Sequence, residues 1–325
     1  MNTGIVSIEP ETATLLQPRD ASSMMVKELG QTGVFLPEVG IGTWNYEAGP
    51  SPLRRGLEAG ALFIDTAESY AAEHFVGEAL RGLRERVFVA TKVSPQNFCR
   101  PRLRVSVDSS LQRLGIDTID LLQLHEPNPA IPIQETMDAL ADLVDAGKVR
   151  FVGVSNFSVA QLEEAQRALR TYPIVSNQVR YNLIDRTIEK GLLQYCQANH
   201  ITVIAYSPLA RGLNRIQDCD PHGLLDKLSR MIGKSPAQIA INWCLCKEGV
   251  VAIPKGNSEE HILDNCAASG WRLSAEHLSS LDAAIQYRQR GRFDTLVRRW
   301  MPRQLGPLAV RALNSLPRGI RRRLS

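Results

Sequence analysis

Four polar side chains early in this chain have types that together can move a proton. Asp65 and Tyr70 lie in FIDTAESY, Lys92 in VFVATK and His125 in LLQLH. A phenol is a weak acid, with an unperturbed pKa of about 10. A buried ammonium pressed against it favours the phenolate and lowers that value. An aspartate beside the ammonium keeps it charged, and an imidazole can orient a carbonyl oxygen that takes the proton. The four types thus make a general-acid apparatus, provided the fold brings residues 60 positions apart to one place.

The elements that must do so alternate along the chain. Short apolar strands are predicted at Val39–Gly42, Leu62–Asp65, Val87–Thr91, Ile119–Leu124, Phe151–Val154, Ile174–Gln178, Thr202–Tyr206 and Val250–Ile253. Amphipathic helices fall between them at Pro101–Leu114, Ile133–Ala146, Val159–Ala168 and Ile188–Asn199. Another begins at Ser235-Pro236, with Ser as N-cap and Pro in the first turn. Eight β-then-α units predict a closed (β/α)8 barrel rather than an open doubly wound sheet. The active face of such a barrel is where strands end and βα loops begin. Asp65, Lys92 and His125 are each expected at a strand end, with Tyr70 in the loop after the second strand.

The chain has 325 residues, 44% of them hydrophobic, enough for one barrel of roughly 250 residues with extensions. Residues 1–24 read as a mobile leader, 25–285 as the barrel and 286–325 as a separate extension. Val26 to Leu36, with turn residues Gly30 to Gly33, is expected to form a hairpin that caps the barrel floor. No signal peptide or bilayer-length apolar run is present. The six cysteines lack a CxxC pair and read as inert thiols in a reducing compartment. The expected location is cytoplasmic, with no metal site.

Residues 286–325 hold eleven arginines and one acid, Asp294, for a charge of +10; with +4 over the whole chain, the first 285 residues carry −6. Three uses fit this segment. It wraps over the barrel mouth, or it touches an anionic membrane surface with Trp300, Leu308, Val310 and Leu313 dipping into the headgroups, or it binds nucleic acid or stays disordered. No nucleic-acid motif accompanies it, so that partner is not expected.

The motifs together resemble the aldo-keto reductase superfamily over roughly residues 25–285. Asp65-Thr66-Ala67-Glu68-Ser69-Tyr70 is similar to the family's DTA-x-x-Y, Thr91-Lys92 to its TK, and His125 to its strand-terminal histidine. The resemblance assigns Tyr70 as general acid, Lys92 as the cation tuning it, Asp65 as the partner of Lys92, and His125 as the group orienting the carbonyl. Gly153-Val154-Ser155-Asn156-Phe157 is similar to the family's GxSNF and Asn177-Gln178 to its NQ. These imply a grip on a nicotinamide carboxamide by Ser155, Asn156 and Gln178. Tyr206-Ser207-Pro208-Leu209 resembles the segment that stacks on the nicotinamide and lines the pyrophosphate; Arg211 and Gly212 follow it. Gly42, Thr43 and Trp44, with Asp65, join the implied cofactor set. Ile253-Pro254-Lys255, then Ser258 and Asn265, are implied at the adenosine end. His261 stands where many relatives have arginine. An imidazole lacks the arginine fork that grips phosphate, so NADP(H), implied through Lys255, is the expected cofactor and NAD(H) an alternative. For substrate, Trp44, Asn45 and Phe98 are the candidates. Relatives carry a Gly-rich loop after the tyrosine; here Ala71-Ala72-Glu73 reads as a helix start.

The implied function is NADPH-dependent, reversible reduction of an aldehyde or ketone, with a small-molecule carbonyl compound as partner. A cofactor-binding sensor or auxiliary subunit is the alternative, as is a membrane-surface adaptor acting through the basic tail. Substrate identity and oligomeric state are open at this level.

Overall fold

A computed structural model describes residues 24–287. The leader, and the arginine-rich segment beyond Tyr287 with its three suggested uses, lie outside the described residues.

The barrel strands are β3 (Ile41–Gly42), β4 (Phe63–Asp65), β5 (Phe88–Val93), β6 (Ile119–Leu124), β7 (Val149–Ser155), β8 (Ile174–Arg180), β9 (Thr202–Tyr206) and β10 (Val250–Ile253). Their order in the sheet follows the chain, and every neighbouring pair is parallel. A parallel bridge from Val39 to Ala252 closes the ring. The Gly40 amide donates to the Ala252 carbonyl (2.8 Å) and the Gly42 amide to the Pro254 carbonyl (3.0 Å). This seam needs glycine. A Cβ on Gly42 would lie 2.7 Å from the Ile253 carbonyl oxygen, and one on Gly40 would lie 2.5 Å from the Phe63 ring.

Around the strands run α1 (Pro50–Glu58), α2 (Glu73–Ala79), α3 (Arg100–Leu114), α4 (Ile133–Asp145), α5 (Val159–Ala168), α6 (Leu192–Ala198), α9 (Pro236–Leu245) and α10 (Glu259–Cys266), with α11 (Ala275–Ala284) last. Two short helices, α7 (Leu213–Gln217) and α8 (Leu224–Ile232), lie in the connection after β9. Ser235 caps α9 reciprocally with Gln238, as its sequence indicates. The helix expected over 188–199 is instead a 3-10 turn (Thr187–Glu189) followed by α6. Gly191, at φ 111°, separates them in a conformation that favours glycine.

The hairpin forms from β1 (Val26–Glu28) and β2 (Phe35–Pro37), and it plugs the barrel floor as expected. Leu29 and Leu36 are fully buried among Phe63, Phe88, Leu121, Val175 and Val251 inside the ring. Burial of such a side chain stabilises by roughly 1.5–3 kcal/mol. Lys27 pins the plug by donating to the carbonyls of Leu245 (2.6 Å), Lys247 (3.0 Å) and Val250 (2.7 Å). Next to β2, the fully buried Glu38 accepts from Ser269 (2.6 Å) and from both terminal nitrogens of Arg272.

Among the described residues no helix is long and apolar enough to cross a membrane, and no cluster of His, Cys, Asp and Glu could hold a metal ion. The six cysteines form no disulfide. Burial pushes the thiols of Cys196, Cys244 and Cys266 up to about 12.

Candidate active site

β4, β5 and β6, with the loop after β4, bring Asp65, Tyr70, Lys92 and His125 together at the C-terminal rim. Asp65 is the last residue of β4 and His125 follows β6 directly. Lys92 does not follow its strand as expected; β5 continues to Val93, because Lys92 and Val93 keep their pairing with Gln123 and Leu124. The lysine therefore points into the ring. Its Nζ donates to Asp65 Oδ1 (2.5 Å) and to the Thr66 carbonyl (2.8 Å), and it lies 4.8 Å from the centre of the Tyr70 ring. Across that ring the Tyr70 hydroxyl and His125 Nε2 are 3.3 Å apart. The four residues form one cluster.

The electrostatics correct one expectation from sequence. Burial raises the Tyr70 phenol above its ordinary value, and the Lys92 ammonium offsets only part of that rise. The phenol is thus held protonated at neutral pH, the form a proton donor requires. For Lys92, burial pulls down, but the charges of Asp65 and Tyr70 and their hydrogen bonds raise it overall. The ammonium is held charged beside the phenol.

Two carboxylates bracket Tyr70 and fix its loop. Tyr70 closes a 3-10 turn (Glu68–Tyr70), Ala71 takes the left-handed conformation (φ 54°), and α2 starts two residues on, as Ala71-Ala72-Glu73 suggested. Glu68 accepts from the Ser94 amide (2.6 Å), Asn97 (3.0 Å) and the Ser106 hydroxyl. Glu73 is buried and accepts from Thr91 (2.6 Å), the residue before Lys92, and from Arg113 Nε (2.7 Å). Tyr70 and Lys92 are therefore held by the same hydrogen-bonded frame. Glutamates at −2 and +3 from the tyrosine were the only sequence signal for this frame.

Above the cluster opens a cavity of about 550 Å³. It is lined by Gly42, Thr43, Trp44, Asp65, Tyr70, His125, Ser155, Asn156, Gln178, Tyr206, Ser207, Pro208, Leu209, Arg211, Gly212, Ile253, Pro254 and Lys255, all expected from sequence. Ser69, Ser94, Pro95, Gln96, Glu126 and Leu213 also line it, and sequence reading missed them. They come from the connections after β4, β5, β6 and β9, on short turns and a helix start whose course no long periodic pattern reports. Ser258, His261 and Asn265 do not line it. Ser258 caps α10 by accepting from the His261 amide (3.2 Å), His261 is exposed, and Asn265 is buried on α10.

Among the substrate candidates only Trp44 faces the cavity. Asn45 uses its carbonyl to accept from Lys255 Nζ (3.2 Å). Phe98 is corrected: it is 2% exposed and belongs to the core. The 3-10 turn Pro95–Asn97 swings the chain so that Pro95 and Gln96 meet the cavity while Phe98 turns inward.

Inside the cavity Gln178 Nε2 donates to Asp65 Oδ2 (2.7 Å) and Gln123 Oε1 (3.2 Å). Asn156 Nδ2 donates to the His125 carbonyl (3.2 Å) and to Ser155 Oγ (2.9 Å), and its Oδ1 accepts from the Tyr206 hydroxyl (3.0 Å). At the mouth the Arg211 guanidinium lies 4.6 Å from the centre of the Trp44 ring. Seven described non-glycine residues have positive φ. Six of them (Asn45, Ala71, Asn156, Ser207, Ala210 and Arg211) are in loops on this face. Unfavoured backbone concentrated at one face marks it as the working end of the barrel.

A closed parallel barrel with Asp, Tyr, Lys and His converging under a rim cavity is the architecture of a barrel oxidoreductase, and comparison with known proteins agrees. Residues 38–286 match the model of the aldo/keto reductase family. The chain is 38% identical over 261 residues to methylglyoxal reductase YeaE of Escherichia coli (strain K12), covering 77% of this chain and 92% of that protein. Among solved structures it is similar to an aldo-keto reductase from Klebsiella pneumoniae in complex with NADPH (TM-score 0.75, 37% identity, 81% of this chain and 95% of that one). It is likewise similar to the thermostable aldo-keto reductase Tm1743 in complex with the inhibitor epalrestat (TM-score 0.74, 38% identity, 80% and 100%). The chain belongs to the aldo/keto reductase family.

Proposed function

We propose that this protein reduces an aldehyde or ketone to the alcohol with NADPH, Tyr70 giving its proton to the carbonyl oxygen. The observation that carries this reading is the Tyr70 hydroxyl beside His125 Nε2 at the cavity floor, with the Lys92–Asp65 pair behind it.

The residues present fit a nicotinamide dinucleotide. Ser155, Asn156, Gln178 and Tyr206 line the cavity next to the acid cluster, Ser207 to Leu209 and Arg211 to Leu213 line one flank, and Arg211 and Lys255 supply positive charge for phosphates. Bound there, NADPH supplies the hydride. His125 and the Tyr70 hydroxyl hold the carbonyl oxygen between them, and Lys92 stabilises the phenolate left when the proton moves. Asp65 keeps Lys92 charged throughout. Lys255, a cation lining the cavity just after β10, makes NADP(H) the first cofactor to test and NAD(H) the second.

Similarity to a methylglyoxal reductase makes small 2-oxoaldehydes the first substrates to assay. The decisive experiment is cofactor oxidation with a panel of aldehydes and ketones, each cofactor run separately, on wild type and Tyr70→Phe. The variant should lose about 10²–10⁴-fold in kcat while binding NADPH within about twofold of wild type. Reduction at the native rate by Tyr70→Phe would remove the acid assignment.

A further inference from the structure

Gln123 has the burial and contacts of a working residue, yet no motif points to it. It is fully buried inside the ring on β6, two residues before His125. Barrel interiors are ordinarily filled by Val, Ile and Leu from alternate strands in layers. Here alternate strands β4, β6 and β8 contribute Asp65, Gln123 and Gln178, and these three close a ring of hydrogen bonds. Gln123 Nε2 donates to Asp65 Oδ2 (3.0 Å), Gln178 Nε2 donates to the same oxygen (2.7 Å), and Gln178 Nε2 also donates to Gln123 Oε1 (3.2 Å).

The charge on Asp65 dictates how both amides are turned. An ionised carboxylate only accepts, so each glutamine must present nitrogen to it. Gln123 then has its oxygen facing Gln178, which takes the second Nε2 hydrogen. With both hydrogens committed, Gln178 has only its side-chain oxygen left for a ligand in the cavity that it lines. Space for Gln123 is built into the next strand: a Cβ on Gly153 would lie 3.2 Å from Gln123 Cγ and 2.3 Å from Ser176 Oγ.

We infer that Gln123 is a positioning residue that couples the cavity-facing amide of Gln178 to the Asp65–Lys92 pair. It holds Gln178 as an acceptor toward a ligand N–H, such as that of a carboxamide. It also supplies a neutral donor to Asp65, which leaves more of the Lys92 charge directed at Tyr70. The inference rests on the reductase reading above and adds a residue that reading does not need.

Two variants test it in the full-length protein, Gln123→Met and Gln123→Glu, with folding followed by circular dichroism. NADPH affinity is measured by fluorescence titration without substrate, and the pH profile of alcohol oxidation with NADP⁺ is compared with wild type. Gln123→Met should weaken NADPH binding about fivefold to twentyfold, as loss of a buried hydrogen bond implies. Its alkaline-rising limb should move up by about half a pH unit, because Asp65 then draws Lys92 away from Tyr70. Gln123→Glu sets a second carboxyl against Asp65 and should bind NADPH near-normally only at acidic pH, where one of the pair is protonated. A purely structural residue would lower stability without moving either the profile or the affinity. Native affinity and an unshifted profile in Gln123→Met overturn the inference. If that variant does not fold, pH-independent NADPH affinity in Gln123→Glu overturns it. Failure of wild type to bind NADPH or reduce any aldehyde would instead overturn the reductase reading.

Discussion

The barrel has a lysine at each end, Lys92 fully buried and Lys27 half-buried, and the two meet different partners. At the C-terminal rim Lys92 touches the carboxylate of Asp65, and its ammonium is stabilised above the ordinary lysine range. At the floor Lys27 meets three carbonyls but no carboxylate directly. Burial brings it down to about 8, with the more distant Glu38 pulling the other way. Burial alone makes a lysine a poor cation; a touching anion reverses that. The C-terminal end holds such a pair, with a full charge beside a phenol. The structural end needs only hydrogen-bond donors to hold the plug.

Breaking the upper pair should have the largest effect. Lys92→Met leaves Asp65 buried without its cation, and stability should fall by about 3–5 kcal/mol in denaturant unfolding, with aldehyde reduction abolished. Lys27→Met strands three carbonyls at the floor. A loss of about 2–3 kcal/mol is expected, with kcat near wild type because the site is at the opposite end. Reduction impaired as severely as in Lys92→Met would mean the two ends are not independent.

The pH dependence should run in opposite directions for the two lysines. Lys27 has a folded value near 8 against 10.5 for the ordinary group, so between these values the unfolded chain binds more protons. Stability from this group therefore rises with pH through that window. Lys92, raised above 10.5, contributes stability that is present below 10.5 and lost only as pH climbs past its folded value. The stability gap between wild type and Lys27→Met should widen from pH 8 to pH 10. A flat gap would show that the three carbonyls hold the proton as firmly as water does.

The smallest expected effect lies in the tyrosine loop. Ala71 is left-handed, a strain of roughly 1 kcal/mol for a residue with a Cβ. Ala71→Gly relieves it but gains unfolded-chain entropy. Stability should change by less than about 0.5 kcal/mol, measured by thermal unfolding.

The residues show why some features were legible in sequence and others were not. β6, β9 and β10 were read to the residue, because apolar runs bounded by turns report burial on both faces. β5 was read two residues short at its C-terminal end, since a charged residue ordinarily ends a buried strand and nothing local shows that Asp65 waits across the ring. Asp65, Tyr70, Lys92 and His125 were visible because each sits in a recognisable segment. Phe98 was misplaced because the 3-10 turn before it reverses which side faces the core. Glu68, Glu73 and Gln123 were missed because their meaning lies in partners 18 to 58 residues away.

Sequence by itself determined the alternation of strand and helix, the family, and the types of the polar residues that meet at the rim. These depend on local periodicity and residue type, which a chain carries wherever it folds. Only the tertiary structure decided the protonation state of those groups and the direction in which the buried amides face. Such properties arise from desolvation and from charges on other strands, and neither exists until the ring is closed.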